Sequence, residues 1–119
     1  MLWIRFYYWT KYTPLYLSSN YKRDDLFTLL EMWTEEDVST AIIGDVNENQ
    51  SKLKLHPFAN KMTSMGFEQQ IKEPTCQTGS LIDHIYVNEA MKKHNIFTQI
   101  DAVYYSDHDM ISLLIPKEE

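Results

Sequence analysis

Three short segments set acids, an amide and a histidine against apolar runs. In Ile42-Ile43-Gly44-Asp45-Val46-Asn47 an apolar stretch meets a glycine, and Asp45 and Asn47 follow two residues apart. Residues two apart in an extended chain project to the same side, so both would face one way where a strand ends. Asp and Asn are also ordinary turn formers, and taken alone the segment fits a strand followed by a turn. The second segment is Leu81-Ile82-Asp83-His84-Ile85-Tyr86-Val87. With a period of two, Leu81, Asp83, Ile85 and Val87 share one face, and Ile82, His84 and Tyr86 share the other. A carboxylate among apolar neighbours is costly unless it has a partner; an edge strand that left Asp83 in water would avoid that cost. The third is Tyr105-Ser106-Asp107-His108-Asp109, just ahead of the apolar run Met110 to Ile115. Two Asp and a His in one short loop suit a hard divalent cation and a phosphate, although a plain polar turn has the same composition.

Other reactive side chains carry less. His56 and His94 read as solvated residues at helix ends, and His84 as a surface or core residue. Cys76 has no Lys, Arg or second Cys near it in sequence to activate it, so it is assigned no chemistry. Glu31, Glu35, Glu36 and Asp37 form a charge run of the kind that lies on a solvated face.

The elements that must position these residues follow from hydrophobic spacing. Trp3 to Trp9 is rich in aromatics and reads as a strand. Pro14 is expected to end its ladder, with a polar loop over Ser18 to Lys22. Leu26, Leu29, Leu30 and Trp33 share one helical face, which predicts a helix over Asp24 to Trp33. Thr40 to Ile43 reads as a buried strand. Leu55, Phe58, Ala59, Met62 and Met65 predict a second helix, closed by Gly66. Phe67 to Ile71 and Leu81 to Val87 read as strands, Glu89 to His94 as a helical turn, and Phe97 to Val103 and Met110 to Ile115 as the last strands. The order β-α-β-α-β-β-β-β predicts a layered α/β arrangement without repeated βαβ winding.

Composition sets the outer limits. The chain has 119 residues, 44% hydrophobic and 24% charged, which fits one globular domain at most. Only 3 Gly and 4 Pro exclude a low-complexity or collagen-like polymer, and 13% aromatic content argues against disorder. Eleven Lys and Arg against 17 Asp and Glu give a net charge of −6. That balance excludes a general cationic nucleic-acid binder, but leaves room for a local, metal-mediated polyanion site. A single cysteine, Cys76, cannot form an internal disulfide, and a reducing intracellular compartment, nuclear or cytoplasmic, is expected. Met1 to Trp9 is too short to span a membrane and lacks a small-residue cleavage site, so no membrane partner is expected.

Taken together, Gly-Asp-x-Asn at Gly44 to Asn47, Ile-Asp-x-Ile at Ile82 to Ile85, and Ser-Asp-His at Ser106 to His108 resemble the endonuclease/exonuclease/phosphatase superfamily, which has the DNase I-like fold. Tyr12-Thr13-Pro14 is similar to that family's Tyr-x-Pro segment. Gly66-Phe67, Pro74-Thr75 and Leu81 to Asn88 resemble the endonuclease domains of mobile genetic elements. The resemblance implies metal-dependent hydrolysis of a phosphodiester, with Mg²⁺ or Mn²⁺ as cofactor and DNA or RNA as substrate. It implies that Asp45 orients or deprotonates the attacking water, that Asn47 orients groups near the phosphate, and that His108 stabilises charge on it. Asp83 would orient His108, Asp107 would ligate the metal together with Asp45, and Tyr12 would contact the phosphate.

The resemblance covers the second half of such domains. The expected fold is therefore the C-terminal half of a DNase I-like four-layer α/β sandwich, with one mixed sheet and helices on one face. Residues 1–119 would be a partial domain. The family's first half supplies an Asn and a metal-binding Glu, and Met1 to Lys11 contains no Asp, Glu or Asn. Weak or absent activity is implied, with the missing half or a second copy as a partner. Two alternatives stand beside the nuclease: a catalytically inactive remnant or interaction module, and a phosphodiesterase acting on a phospholipid or poly(A). One apolar sheet face is expected to lack cover, exposing a set drawn from Trp3 to Tyr8, Ile42, Leu81, Ile85 and Leu113 or Leu114.

Overall fold

The computed structural model describes residues 4–9, 14–19, 23–33, 35, 37–46, 48 and 56–116, with the backbone alone for 4–9, 14–19, 23–26 and 33. Ten elements follow in the order β1 (Ile4–Trp9), β2 (Pro14–Ser19), α1 (Arg23–Trp33), β3 (Ala41–Asp45), α2 (Pro57–Ser64), β4 (Phe67–Gln69), β5 (Asp83–Asn88), α3 (Glu89–Lys92), β6 (Phe97–Asp101) and β7 (Met110–Leu114). Helices are mixed with antiparallel sheets, so the broad α/β expectation holds.

The sheet differs from the expected single mixed one. β1 to β5 form a five-stranded sheet in the order β2-β1-β3-β5-β4, and β6 and β7 form a separate two-stranded sheet. Every pairing among the described strands is antiparallel. Residues 10–13 between β1 and β2 are too few for the long crossover that a parallel partner needs. Pro14 does not end a ladder. It begins β2, opposite Trp9, and Ser18 and Ser19 belong to that strand. β2 lies at the sheet edge, where a residue without an N–H is tolerated.

α1 and α2 cover one face of the large sheet. Leu30, Ile42, Val46, Phe58, Ala59, Met62, Phe67 and Tyr86 pack into one cluster, with Phe27 and Met65 against it. Pro57 occupies the first turn of α2, where its missing N–H is no loss. His56 precedes it and gives no side-chain cap. Glu48 caps the helix instead, its Oε1 accepting from Phe58 N at 2.9 Å and its Oε2 from Ala59 N at 3.0 Å. The buried carboxylate thereby meets both free N–H groups and the positive end of the helix. Gly66 closes α2 at φ +89°, a backbone region that a Cβ disfavours.

The opposite face carries Ala41, Ile71, Leu81, Ile85, Val87 and Met91, with Ile43, Ile96, Ile100, Ile111, Leu113 and Ile115 packed on them. The β6–β7 hairpin thus covers the face expected to be bare. Ile42, Leu81 and Ile85 are buried, not exposed. Leu114 is exposed as expected, on the hairpin's outer side with Phe97 and Met110, and Met32 on α1 and Tyr104 and Tyr105 before β7 are exposed as well.

Local sequence accounts for the join around β5. Gln69 ends β4, and its side chain takes over the ladder, Oε1 accepting from Ile71 N at 2.7 Å and from Ile85 N at 3.1 Å. Asn88 ends β5; its Oδ1 accepts from Met91 N at 3.0 Å, capping α3, and from Thr40 N at 3.0 Å. These buried amides fix where β5 starts and stops beside β3. No helix among the described residues is long and apolar enough to cross a membrane.

Candidate active site

Asp45 ends β3 and Asp83 begins β5, and the antiparallel register puts them directly opposite each other. Residues so paired project to the same face. Two facing carboxylates repel, and the arrangement calls for positive charge beside them. His108 provides it from the loop before β7. Its Nδ1–H donates to Asp83 Oδ2 at 2.9 Å. The same oxygen accepts from the Thr75 hydroxyl at 2.7 Å, and the Asp83 N–H donates back to that hydroxyl at 3.2 Å. Thr75 is fully buried and Asp83 is 8% exposed. Asp83 is therefore a partnered buried acid on the inner side of the sheet, not a solvated edge residue.

The loop that carries His108 is anchored by backbone. Cys76 and His108 form an isolated antiparallel bridge. Gln77 N donates to Asp107 O at 2.8 Å, and Asp109 N donates to Thr75 O at 2.6 Å. His108 N donates to Ser106 Oγ at 3.1 Å, which folds the Ser-Asp-His turn on itself. Val46 N donates to Ile82 O at 2.9 Å and extends the β3–β5 pairing past the two acids.

The potential ligand atoms of Asp45, Asp83 and His108 all lie within 4.8 Å of one another. Those of Cys76, Asp107 and His108 meet the same limit. His108 belongs to both groups and joins them. Burial tends to lower its pKa, but the hydrogen bond to Asp83 and the charges of Asp83, Asp45 and Asp107 outweigh that and raise it. The site thus favours an imidazolium among carboxylates.

His84, the next residue along β5, points the other way. It is fully buried. Its Nδ1 accepts from the Tyr86 hydroxyl at 2.8 Å, and its Nε2–H donates to Leu81 O at 3.1 Å. Burial pushes its pKa down, against smaller opposing effects from the Leu81 carbonyl and Glu48. Burial pushes the Tyr86 phenol far up. His84 is a neutral core residue.

Asp45, Asp83 and His108 come together as the sequence predicts, and Asp107 flanks them through His108. They do so from the ends of two strands of one sheet and from the loop of a second. Asn47 and Tyr12 lie outside the described residues. Three residues that sequence reasoning passed over belong to this region. Thr75 supports Asp83, Cys76 pairs with His108, and Glu48 holds α2 behind the sheet. Pro74-Thr75 was legible only as part of a family pattern. Cys76 has no activating residue beside it in sequence, and its partners arrive from the distant Asp107-His108 turn.

Among the described residues, the groups that could hold a metal ion are Asp45 and Asp83 with His108, and Cys76 and Asp107 with the same imidazole. No protein-family model matches this chain, and neither does any curated protein or solved structure.

Proposed function

We propose that the chain is a metal-dependent phosphodiesterase that cleaves nucleic acid, in the manner of the endonuclease/exonuclease/phosphatase superfamily. The observation that carries the reading is the Asp83–His108 bond of 2.9 Å with Asp45 facing it across the strand pair. A phosphodiester under attack gains negative charge, and a preorganised cationic donor aimed at that charge is worth the most. His108, its pKa raised by its carboxylate neighbours, is such a donor. Asp83 already accepts hydrogen bonds from Thr75 and His108 through one oxygen, so its role is to orient the ring and stabilise its charge. Asp45 has its carboxylate at the same cluster and is the group that orients a water and takes its proton. Asp45 and Asp107 would hold Mg²⁺ or Mn²⁺, and the chemistry a bound ion supplies is polarisation of a phosphoryl oxygen. With so few carboxylates the ion is held weakly, because Mg²⁺ keeps most of its waters and relies on each anionic ligand.

The experiment is a nicking assay of the full chain on supercoiled plasmid, with a parallel assay on single-stranded RNA, at high Mg²⁺ or Mn²⁺. Slow cleavage that a chelator abolishes is expected. His108→Ala and Asp45→Ala should each lower it by about a hundredfold or more. Cleavage that survives both substitutions, or no cleavage of either substrate, would contradict the proposal.

A further inference from the structure

We propose that Cys76, Asp107 and His108 form a second, thiophilic metal site that takes Zn²⁺ or a cation of its class. One sulfur, one carboxylate oxygen and one ring nitrogen from these residues lie within 4.8 Å of one another. That donor set is the mixed S, O, N combination that Zn²⁺ accepts and Mg²⁺ does not. The backbone holds the ligands in place without an ion. Cys76 and His108 sit opposite each other in their bridge, and the bonds from Gln77 N to Asp107 O and from Asp109 N to Thr75 O clamp the two segments on either side.

Two further contacts suit a metal. The Thr78 hydroxyl donates to Cys76 Sγ at 3.4 Å and helps to position the sulfur. Asp83 accepts from His108 Nδ1 at 2.9 Å, the carboxylate–histidine arrangement that orients a metal-ligating imidazole and leaves Nε2 to bind. Asp107 is exposed and Cys76 and His108 are half-buried, so an ion can enter from solvent. Three protein ligands leave a fourth tetrahedral position for water. On binding, the Cys76 S–H bond and the N–H bond at His108 Nε2 are replaced by bonds to the metal, and both protons leave to solvent.

The site would also regulate. Resting on the hydrolase reading, a zinc-bound His108 Nε2 cannot reach a phosphate, so Zn²⁺ would block the Mg²⁺-dependent reaction by occupying the shared imidazole. The existence of the site does not depend on that reading.

The test is a Co²⁺ titration of the full chain with its thiol reduced, followed by absorbance. A near-ultraviolet sulfur-to-cobalt band should grow to one equivalent. Zn²⁺ should displace it and excess Mg²⁺ should not. Cys76→Ser should abolish the band, and Asp83→Asn should keep it while weakening affinity about ten- to a hundredfold. On the unaltered chain, saturating Zn²⁺ should slow alkylation of Cys76 by iodoacetamide. Cobalt binding without the band, equal affinity in Cys76→Ser, or an unchanged alkylation rate would overturn the proposal. A band without any nucleic-acid cleavage would sink the hydrolase reading alone. Cleavage without a band would sink the zinc site alone.

Discussion

His84 lies on the helix-covered side of β5, and His108 reaches the carboxylate that points to the other side. The two histidines sit close to the same strand and behave in opposite ways. His84 is sealed behind α2, donates to a carbonyl, accepts from a phenol, and is kept neutral by burial. His108 is half-exposed, donates to Asp83, faces Asp45 and Asp107, and has its pKa raised by them. Alternation along one strand separates them: residue 83 looks toward the hairpin and residue 84 toward the helices. The lesson is that residue type does not assign a role here; the partners on each face do. One histidine is part of the core, and the other is available for chemistry.

Substitutions should split the pair cleanly. His84→Ala removes a fully buried side chain and strands the Tyr86 hydroxyl and the Leu81 carbonyl. It should cost about 3 kcal/mol of stability, measured by urea unfolding. His108→Ala should cost only about 1 kcal/mol, because the buried Asp83 carboxylate keeps the Thr75 hydroxyl on the same oxygen and the space left by a partly exposed ring admits water. Its effect should fall on phosphodiester cleavage, as the roughly hundredfold loss already stated. If His108→Ala unfolds the chain and His84→Ala leaves it intact, the assignment of roles is reversed.

Thr75→Val should give an intermediate result. It removes the hydroxyl on Asp83 without changing shape, and leaves one lone pair of a buried carboxylate unmet. A loss of about 1 to 2 kcal/mol in unfolding free energy is expected. His108 should remain bonded to Asp83, so metal-dependent cleavage should fall less in this variant than in His108→Ala.

Stability against pH sharpens the contrast, because the two shifts have opposite signs. His84 has a lowered pKa in the fold, so its contribution is complete above the unfolded value of about 6.5 and declines as pH falls below it. His108 has a raised pKa, so its contribution is complete below about 6.5 and is lost as pH rises through the folded value. Unfolding followed across this range should show the acid-side loss vanish in His84→Ala and the alkaline-side loss vanish in His108→Ala. Identical pH profiles for the two variants would contradict the comparison.

The smallest effect is expected on the hairpin's outer side. Phe97 pairs with Leu114 in the β6–β7 register, and both are exposed. Phe97→Ser should change monomer stability by less than about 0.5 kcal/mol. It should reduce any self-association seen by sedimentation at high protein concentration, because an exposed apolar patch drives such contacts. A large loss of monomer stability would place Phe97 in the core.

Much of the site was legible because period-two alternation is a short-range rule. It placed Asp83 and His84 on opposite faces of β5 before any tertiary information. It also put Asp45 at the exit of β3, where Asp83 meets it. The helix stripes through Leu30 and through Phe58 and Met62 were equally local and correct. What was not legible depends on contacts far apart in sequence. Pro14 reads as a terminator unless its strand is known to be an edge. The apolar face of Leu81 and Ile85 reads as bare unless β6 and β7 are known to fold back as a second sheet. Cys76 reads as inert unless its backbone is known to pair with His108. Glu48 carries no signal in the sequence, and only the position of α2 turns it into a buried cap.

The central claim is that Asp83 raises the pKa of His108 at the site. It is tested most directly by following the His108 ring resonances against pH by NMR in the unaltered chain and in Asp83→Asn. The account predicts that His108 titrates above the ordinary histidine range in the unaltered chain. In Asp83→Asn it should fall back to that range or below, while His84 stays neutral across the physiological range in both. A His108 that titrates at the same pH in both proteins, or below the ordinary range in the unaltered one, would contradict it.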